Sequence, residues 1–240
     1  MNIIAVTHRG LNKTENEDRI IVGKSIVAGG TLFSEIENGI IAVADGVGGH
    51  NAGAIASHFV ANKLCYLNEI SIDLLKEIND ELIEISETID GQIGMATTLS
   101  GIYCTNGKSQ LFSIGNTRVY LLQSRKYLKQ LTTDDTTLNY LLATSQLTPE
   151  DAASFERKNE ITACFGGGSY DLFKVKVTYI EPLLAPVMIT SDGIHDYLSV
   201  DQMEDIIKEY GLSEKACIEM IQASRDNGSL DDASVILGGV

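Results

Sequence analysis

Carboxylate residues recur beside short apolar segments at four places in the chain. The run IIAVA (40–44) leads directly into Asp45, which precedes four glycines within eight positions. A second apolar run, VMITSDG (187–193), also ends in an Asp-Gly pair, and acidic pairs stand just before two further predicted strands. The acidic residues concerned are Glu17 and Asp18, Asp45, Asp192, and Asp231 with Asp232.

Four predicted strand ends that carry carboxylates indicate a site for cations. A layered sheet structure could bring these ends to one edge, where like charges repel one another unless cations neutralise them. Oxygen ligands without cysteine pairs or clustered histidines select Mg²⁺ or Mn²⁺ rather than Zn²⁺. Glycine next to a ligand also lets a backbone carbonyl or a metal-bound water approach closely.

The glycine-rich stretch after Asp45 has two other interpretations. A dinucleotide-binding loop is excluded, because Asn51 takes the place of its third glycine and Asp45 would repel a pyrophosphate. A tight turn in which Asp45 only caps the next helix is sufficient for one Asp-Gly pair. The recurrence of the acidic pattern favours the cation site over that simpler role.

The elements that must position these residues are short strands and paired helices. Helical spacing of apolar residues predicts helices, with Ser71 as an N-cap, over 51–67, 71–86, 199–209 and 213–225. Apolar runs predict strands over 40–44, 97–104, 109–114, 118–122, 172–180 and 233–239, and a further apolar segment over 186–193.

The connections between the central strands are very short. Asn106-Gly107 is a strong hairpin signal, and the turn GNT (115–117) joins the next two strands. Strands joined so closely are expected to pair antiparallel, because a parallel pair needs a long crossover. Antiparallel strands with helical pairs between them predict an α+β layered sandwich.

Composition limits the class of protein further. The chain has 240 residues, 44% of them apolar, and no linker-like or repeated segment, so a single domain over 1–240 is expected. A net charge of −15 argues against nucleic acid or anionic membrane lipid as a partner. Four dispersed cysteines and the absence of a signal peptide or membrane span predict a soluble cytoplasmic protein with reduced thiols.

Six segments in the same order resemble the metal-dependent protein serine/threonine phosphatases of type 2C, the PPM family, in their compact bacterial form. Any one of them is weak evidence, but together they run nearly the full length of the chain. The segments are RGLNKTENED, VADGVGGHNAGAIAS, GMATTLSGIY, SIGNTRVYLL, TSDGIHDYLS and LDDASVIL.

The resemblance implies a four-layer α-β-β-α sandwich, in which helix pairs flank two mostly antiparallel sheets around two Mn²⁺ or Mg²⁺ ions. The implied metal ligands are Asp45, which would bridge both ions, Glu17 and the Gly46 carbonyl at one ion, and Asp192 and Asp231 at the other. Asp18 would orient metal-bound water without touching a metal. The implied reaction is hydrolysis of phosphoserine and phosphothreonine by attack of a metal-bridging hydroxide.

Three positions depart from the family pattern. Lys13 falls where the family has its phosphate-binding arginine, so it keeps the charge but loses the two-pronged guanidinium. Asn116 replaces an aspartate that holds a third, weaker metal ion, for which Asp192 and Asp196 would remain as ligands. Asp232 follows Asp231 where the family has asparagine.

The departures keep two alternatives open beside the phosphatase. One is a catalytically weak regulatory module that binds phosphoproteins, and the other is a small-molecule phosphatase of the same fold. The resemblance further implies phosphorylated proteins as partners, a co-operating kinase, and a flap-like segment over about 133–170. The stretch CFGGG (164–168) is expected to be a flexible loop near that flap, and His195 either to tune its acidic neighbours or to be an incidental exposed residue.

Overall fold

The computed structural model describes residues 1–48, 52–88, 94–152, 154–180 and 185–239. The strands in these ranges are β1 (Asn2–His8), β2 (Asp18–Val22), β3 (Ser25–Val27), β4 (Gly30–Glu35), β5 (Gly39–Val47), β6 (Ala96–Thr97), β7 (Leu99–Thr105), β8 (Lys108–Ile114), β9 (Arg118–Gln123), β10 (Tyr127–Gln130), β11 (Phe165–Gly166), β12 (Lys176–Ile180), β13 (Val187–Thr190) and β14 (Ala233–Gly239). The helices are α1 (Ala52–Leu64), α2 (Ile72–Thr88), α3 (Thr137–Ala143), α4 (Pro149–Ala152), α5 (Asp192–His195), α6 (Val200–Tyr210) and α7 (Glu214–Asp226).

The strands form two sheets whose described pairs are all antiparallel. The first sheet has the order β10-β9-β13-β14-β1-β4, and the second has the order β11-β6-β5-β7-β8-β12, with β2 paired to β5 and β3 to β2. Helices α1 and α2 pack on the second sheet, and α6 and α7 pack on the first. The predicted four-layer α-β-β-α sandwich is confirmed.

Strand β5 shows how the sequence builds these layers. Ala42 and Ala44 contact the core beneath α1 and α2, whereas Ile41 and Val43 point into the core between the sheets. Because both faces of the strand are covered, alternation of side chains still gives an unbroken apolar run. The strand extends beyond the predicted 40–44 and includes Asp45, which pairs with Asp18 near its C-terminal end.

The two short central connections behave differently from each other. Asn106 and Gly107 both have positive φ, of 46° and 75°, and make the predicted hairpin between β7 and β8. The prediction that the next turn also joins a paired strand is wrong, because β8 lies in the second sheet and β9 in the first. The short turn between β8 and β9 carries the chain from one sheet to the facing sheet. Asn116 lies in this turn, between the two layers.

Several predicted boundaries are wrong by a few residues. The strand predicted over 172–180 is confined to β12, because a 3₁₀ turn occupies Tyr170–Leu172. The apolar run predicted over 186–193 ends at Thr190, and Asp192 begins α5. The helix predicted over 51–67 ends at Leu64, and position 51 lies outside the described residues.

Serine caps explain why the remaining helices begin where predicted. Ser71 Oγ accepts a hydrogen bond from the Leu74 N–H at 3.2 Å, as expected for an N-cap. Ser199 and Gln202 form a reciprocal capping box at the start of α6, and Ser213 caps α7. These local signals do not depend on the rest of the fold, and the two C-terminal helices lie within one residue of the prediction.

The stretch CFGGG is an ordered part of the core rather than a flexible loop. Phe165 is fully buried and packs edge-on against Phe173, with ring centroids 5.2 Å apart. Three successive glycines, 166–168, all have φ between 72° and 74°. A side chain at Gly166 would lie 2.3 Å from the Met95 carbonyl oxygen, so the glycines permit this close packing.

Candidate active site

The predicted acidic residues meet at one edge of the sandwich. Asp18 on β2 lies directly opposite Asp45 on β5 in the antiparallel register. Asp192 follows β13 and Asp231 precedes β14, and these two strands are paired in the facing sheet. Neighbouring strands of both sheets therefore deliver carboxylates to the same place.

A cleft of about 510 Å³ opens at this edge. Its walls contain Lys13, Glu17, Asp45, Gly46, Asn116, Asp192 and Asp231 together with Asn159, Glu160 and Ile161. The structure thus brings together the sequence-predicted metal ligands and Lys13. Asp18 lies behind the cleft wall, and Asp196 lines an adjoining cavity of about 250 Å³.

The carboxylates that line the cleft are half-buried or exposed, and several lie close enough to raise one another's pKa. Burial raises the pKa of Asp45 well above its ordinary value, and the charges of Asp192 and Asp18 raise it further. Burial and the charge of Asp231 likewise raise the pKa of Asp192. Such a cluster is stabilised by cations, which relieve the repulsion and the cost of burial together.

Lys13 is the cation that the chain itself supplies to the cleft. Its Nζ lies 3.0 Å from a Glu17 oxygen, 2.5 Å from Asp231 and 3.1 Å from Asp232. Burial opposes the charged form, but hydrogen bonds to Asp231 and Glu17 outweigh it and raise the pKa of Lys13. The ammonium therefore remains charged and is shared among three carboxylates.

Asp18 is held in a polar environment between the sheets. Its Oδ2 accepts hydrogen bonds from Ser191 Oγ at 2.8 Å and Ser234 Oγ at 2.7 Å, and no described residue bonds to its Oδ1. Burial, followed by the charge of Asp232, raises the pKa of Asp18 to about 7. The two serines were not identified from the sequence, since nothing in their spacing links them to Asp18.

Two glycines let helix α1 approach β5 at the cleft. A side chain at Gly46 would lie 2.2 Å from the Gly53 carbonyl oxygen, and one at Gly53 would lie 2.8 Å from Glu17 Oε1. Larger residues would displace Gly46 or Glu17. The close approach at these glycines is between the backbones of β5 and helix α1.

Asn116 faces Asp192 with its amino group. Asn116 Nδ2 donates to Asp192 Oδ2 at 2.9 Å, while no described residue bonds to its buried Oδ1. Asp196 accepts a hydrogen bond from Asn159 Nδ2 at 2.5 Å. The structure therefore places Asn116 beside Asp192, but turns Asp196 towards the flap-like segment.

His195 and Asp232 are both buried beside the cleft, in surroundings that the sequence alone does not reveal. His195 is buried rather than exposed, with Nδ1 2.8 Å from Thr190 Oγ1, and burial lowers its pKa well below the ordinary value. Asp232 is also buried and accepts hydrogen bonds from the backbone N–H groups of Gly10 and Glu17, each at 2.7 Å. His50, in the family-like GGH stretch, lies outside the described residues.

The donor set of the cleft fits divalent metal ions. As the side chains stand, no group of three or more histidine, cysteine or acidic residues in the described ranges has the geometry of a metal site. Lys13 accounts for part of this, because it contacts Glu17 and Asp231. The chemistry nevertheless agrees with hard cations, since the side-chain donors that line the cleft are mostly carboxylates and the pKa values of Asp45 and Asp192 are raised.

The rim of the cleft opposite the strand ends belongs to the segment 133–170. Helices α3 and α4 contain no buried residue. An isolated bridge joins Thr136 to Ile161, and the Thr137 N–H donates to the Glu160 carbonyl at 2.8 Å. Asn159, Glu160 and Ile161 consequently reach the cleft from a lightly packed element.

The chain is similar in sequence and in fold to bacterial serine/threonine phosphatases. The chain is 32% identical over 248 residues to the serine/threonine phosphatase Stp of Listeria welshimeri. The aligned region covers 96% of this chain and 92% of the relative. The crystal structure of the Mycobacterium tuberculosis serine/threonine phosphatase PstP matches 100% of this chain and 99% of its own, with TM-score 0.82 and 25% identity. A second structure, the PstP catalytic domain in complex with two manganese ions, matches the same shares with TM-score 0.77 and 25% identity.

No family model matches the chain. The paired sheets and the flanking helices are those of a type 2C phosphatase fold. The chain belongs to the bacterial serine/threonine protein phosphatases. None of the helices in the described ranges combines the length and the apolar character needed to cross a bilayer.

Proposed function

We propose that this protein removes phosphate from phosphoserine and phosphothreonine residues of other proteins. The observation that carries the proposal is the meeting of Glu17, Asp45, Asp192 and Asp231 with Lys13 in one cleft. Carboxylates that hold metal ions, next to a cation that faces the same space, suit the binding and hydrolysis of a phosphate monoester.

The proposed cofactor is a pair of Mn²⁺ or Mg²⁺ ions. Asp45 would contact both, Glu17 and the Gly46 carbonyl would complete one site, and Asp192 with Asp231 would complete the other. When bound, the two ions supply a water acidic enough to act as a nucleophile at neutral pH and neutralise charge on the phosphate. Asn116, Asp192 and Asp196 are the proposed surroundings of a weaker third ion.

The chain's own groups bind and orient the reactants. Lys13 offers its ammonium to the substrate phosphate as a point charge, without the paired donors of a guanidinium. Asp18 lies behind Asp45 with one oxygen fixed by two serine hydroxyls. We assign it the role of holding the orientation of water at the cleft through its second oxygen.

The setting of the reaction is proposed on more general grounds. Residues 1–240 act as a single catalytic domain, in which the flap-like segment 133–170 contacts the protein substrate through Asn159 and Glu160. The four free cysteines support a cytoplasmic location. A co-operating kinase that phosphorylates the same substrates is the expected partner.

Two alternatives differ from this proposal in their measurable activity. A phosphoprotein-binding module would bind phosphopeptides without releasing phosphate, and the substitutions at Lys13 and Asn116 are the features that suggest it. A small-molecule phosphatase would prefer free phosphate esters over phosphoproteins. Membership of the protein phosphatase family favours neither alternative.

The decisive experiment measures phosphate release from a phosphothreonine peptide and from a phosphorylated protein. Activity is expected with Mn²⁺ or Mg²⁺, and its loss is expected when EDTA is added. An aryl phosphate serves as the small-molecule comparison. Tight peptide binding without turnover would establish the binding module, and turnover limited to the aryl phosphate would establish the small-molecule enzyme.

A further inference from the structure

Asp232 touches the Lys13 loop at three points. Its Oδ1 accepts from the Gly10 N–H and its Oδ2 from the Glu17 N–H, both at 2.7 Å. The same Oδ2 lies 3.1 Å from Lys13 Nζ. One buried carboxylate therefore fixes both ends of the loop 10–17 and contacts the side chain at its centre.

The three carboxylates that contact Lys13 differ in the other groups that they bind. Glu17 and Asp231 are proposed metal ligands, so their oxygens are shared between the ammonium and the metal ions. Asp232 has both oxygens engaged with backbone N–H groups and is not among the proposed ligands. It is therefore the partner that Lys13 can keep when Glu17 and Asp231 bind metal.

We propose that Asp232 is a positioning residue that holds the Lys13 ammonium at the cleft for phosphate binding. The ammonium lies within 3.1 Å of three carboxylates, those of Glu17, Asp231 and Asp232. With Glu17 and Asp231 engaged by metal, two N–H groups face the phosphate while the third stays on Asp232. The contact with Asp232 thereby fixes the position of an ammonium that otherwise sits on a flexible side chain.

Asparagine at position 232 would weaken this arrangement. An amide has one acceptor oxygen and one amino group in place of the two carboxylate oxygens. The amino group would therefore face either the Gly10 N–H, or the Glu17 N–H together with the Lys13 ammonium. The positively charged ammonium would also lose its negative partner. Lysine at position 13 and aspartate at position 232 are both departures from the family pattern, and the contact between them makes them one functional pair.

The test is a double-mutant cycle on phosphate binding to the Mn²⁺-loaded protein. The inhibition constant of inorganic phosphate and the KM of a phosphothreonine peptide are measured for wild type, Lys13→Ala, Asp232→Asn and the double variant. Asp232→Asn is expected to raise both constants about 5- to 20-fold with a smaller change in kcat. In the Lys13→Ala background the same substitution is expected to change them less than twofold.

A purely structural role for Asp232 predicts a different result. The effects of the two substitutions would then multiply in the double variant, and this outcome, or tighter phosphate binding by Asp232→Asn, would overturn the inference. Melting temperatures of all four proteins identify variants that do not fold. If Asp232→Asn does not fold, a crystal structure of the wild type with Mn²⁺ and inorganic phosphate decides the matter.

In that crystal structure, Lys13 Nζ should contact both Asp232 and the phosphate. A Lys13 that leaves Asp232 for the phosphate, or that stays away from it, would contradict the proposal. The inference rests on the proposed phosphatase function, but the two can fail separately. An inactive wild type refutes the function, whereas an active wild type without coupling between Lys13 and Asp232 refutes only the positioning role.

Discussion

The two walls of the cleft are built in opposite ways. The acidic wall consists of strand ends that continue into the buried cores of both sheets. The opposite rim comes from the segment 133–170, whose helices α3 and α4 bury no residue. The proposed metal ligands stand on the strand wall, and the groups proposed to meet a protein substrate stand on the lightly packed one.

This difference implies a division of labour. Packing of β2, β5, β13 and β14 fixes the acidic residues relative to one another, which a metal site requires. Within the flap-like segment, residues 137–152 and 154–162 include no buried residue, and polar contacts such as Asn159 to Asp196 hold them in place. Changes on the strand wall should therefore affect turnover, while changes on the flap wall should affect substrate affinity.

The largest effect is expected from Asp45→Ala on the strand wall. Loss of the carboxylate proposed to contact both metal ions should lower kcat for a phosphothreonine peptide by about 10³-fold or more. Steady-state kinetics with saturating Mn²⁺ measure the change, and a circular dichroism spectrum checks the fold. Near-wild-type turnover would show that the metal-dependent proposal is wrong.

The buried charge of Asp18 should make the protein depend on pH when metal is removed. Its pKa rises from 3.8 to about 7 on folding, so the folded state binds the extra proton and stability should fall as pH rises from about 4 to 7. The full penalty, on the order of 4 kcal/mol, is then present above pH 7.

Asp18→Asn should accordingly raise the melting temperature at pH 8 in EDTA, with a much smaller gain at pH 4.5. Calorimetry at several pH values measures the difference. Asp205→Asn is the matched control, because that side chain is 79% exposed. An equal shift for both variants, or no dependence on pH, would contradict the predicted role of the buried charge.

A smaller effect is expected on the flap wall from Asn159→Ala. The substitution removes the hydrogen bond to Asp196 and should raise KM for a protein substrate about 2- to 10-fold, with little change in kcat. Asn62→Ala is the control, since it removes an exposed hydrogen bond to the His58 carbonyl on α1. A fall in kcat alone would place the flap in the chemistry rather than in binding.

An effect of similar size is expected where the two walls meet, at Asn116. Asn116→Asp adds a carboxylate beside Asp192 and should shift the Mn²⁺ activation curve about 3- to 10-fold towards lower concentration if a third ion assists turnover. Asn106→Asp adds the same charge in the distant β7–β8 turn. Superimposable activation curves for wild type and Asn116→Asp would end the case for a third ion.

The sequence predicts the strand wall far better than the flap wall. Asp45 and Asp192 follow clear apolar runs, and serine caps mark the helix starts, because both signals are local. The passage of the chain from β8 to β9 between sheets was not predictable in this way, since the same turn residues serve a hairpin equally well.

The roles of Asp232 and Asn159 were missed for a different reason. Asp232 acts through Gly10 and Glu17, more than 200 positions away, and Asn159 acts through Asp196 on another element. Such contacts exist only after the layers are assembled, and neither residue type nor spacing reveals them. The family resemblance supplied the proposed ligands, whereas the connections that orient them required the structure.

The position of β14 has a consequence for how the protein folds. This strand is central in the first sheet, between β13 and β1, and Asp232 just before it joins Gly10 across 222 positions. Closing so large a loop costs conformational entropy before its contacts are gained, so a high contact order is built into the cleft. We therefore expect native activity to be regained late in refolding, after most of the helical signal has returned.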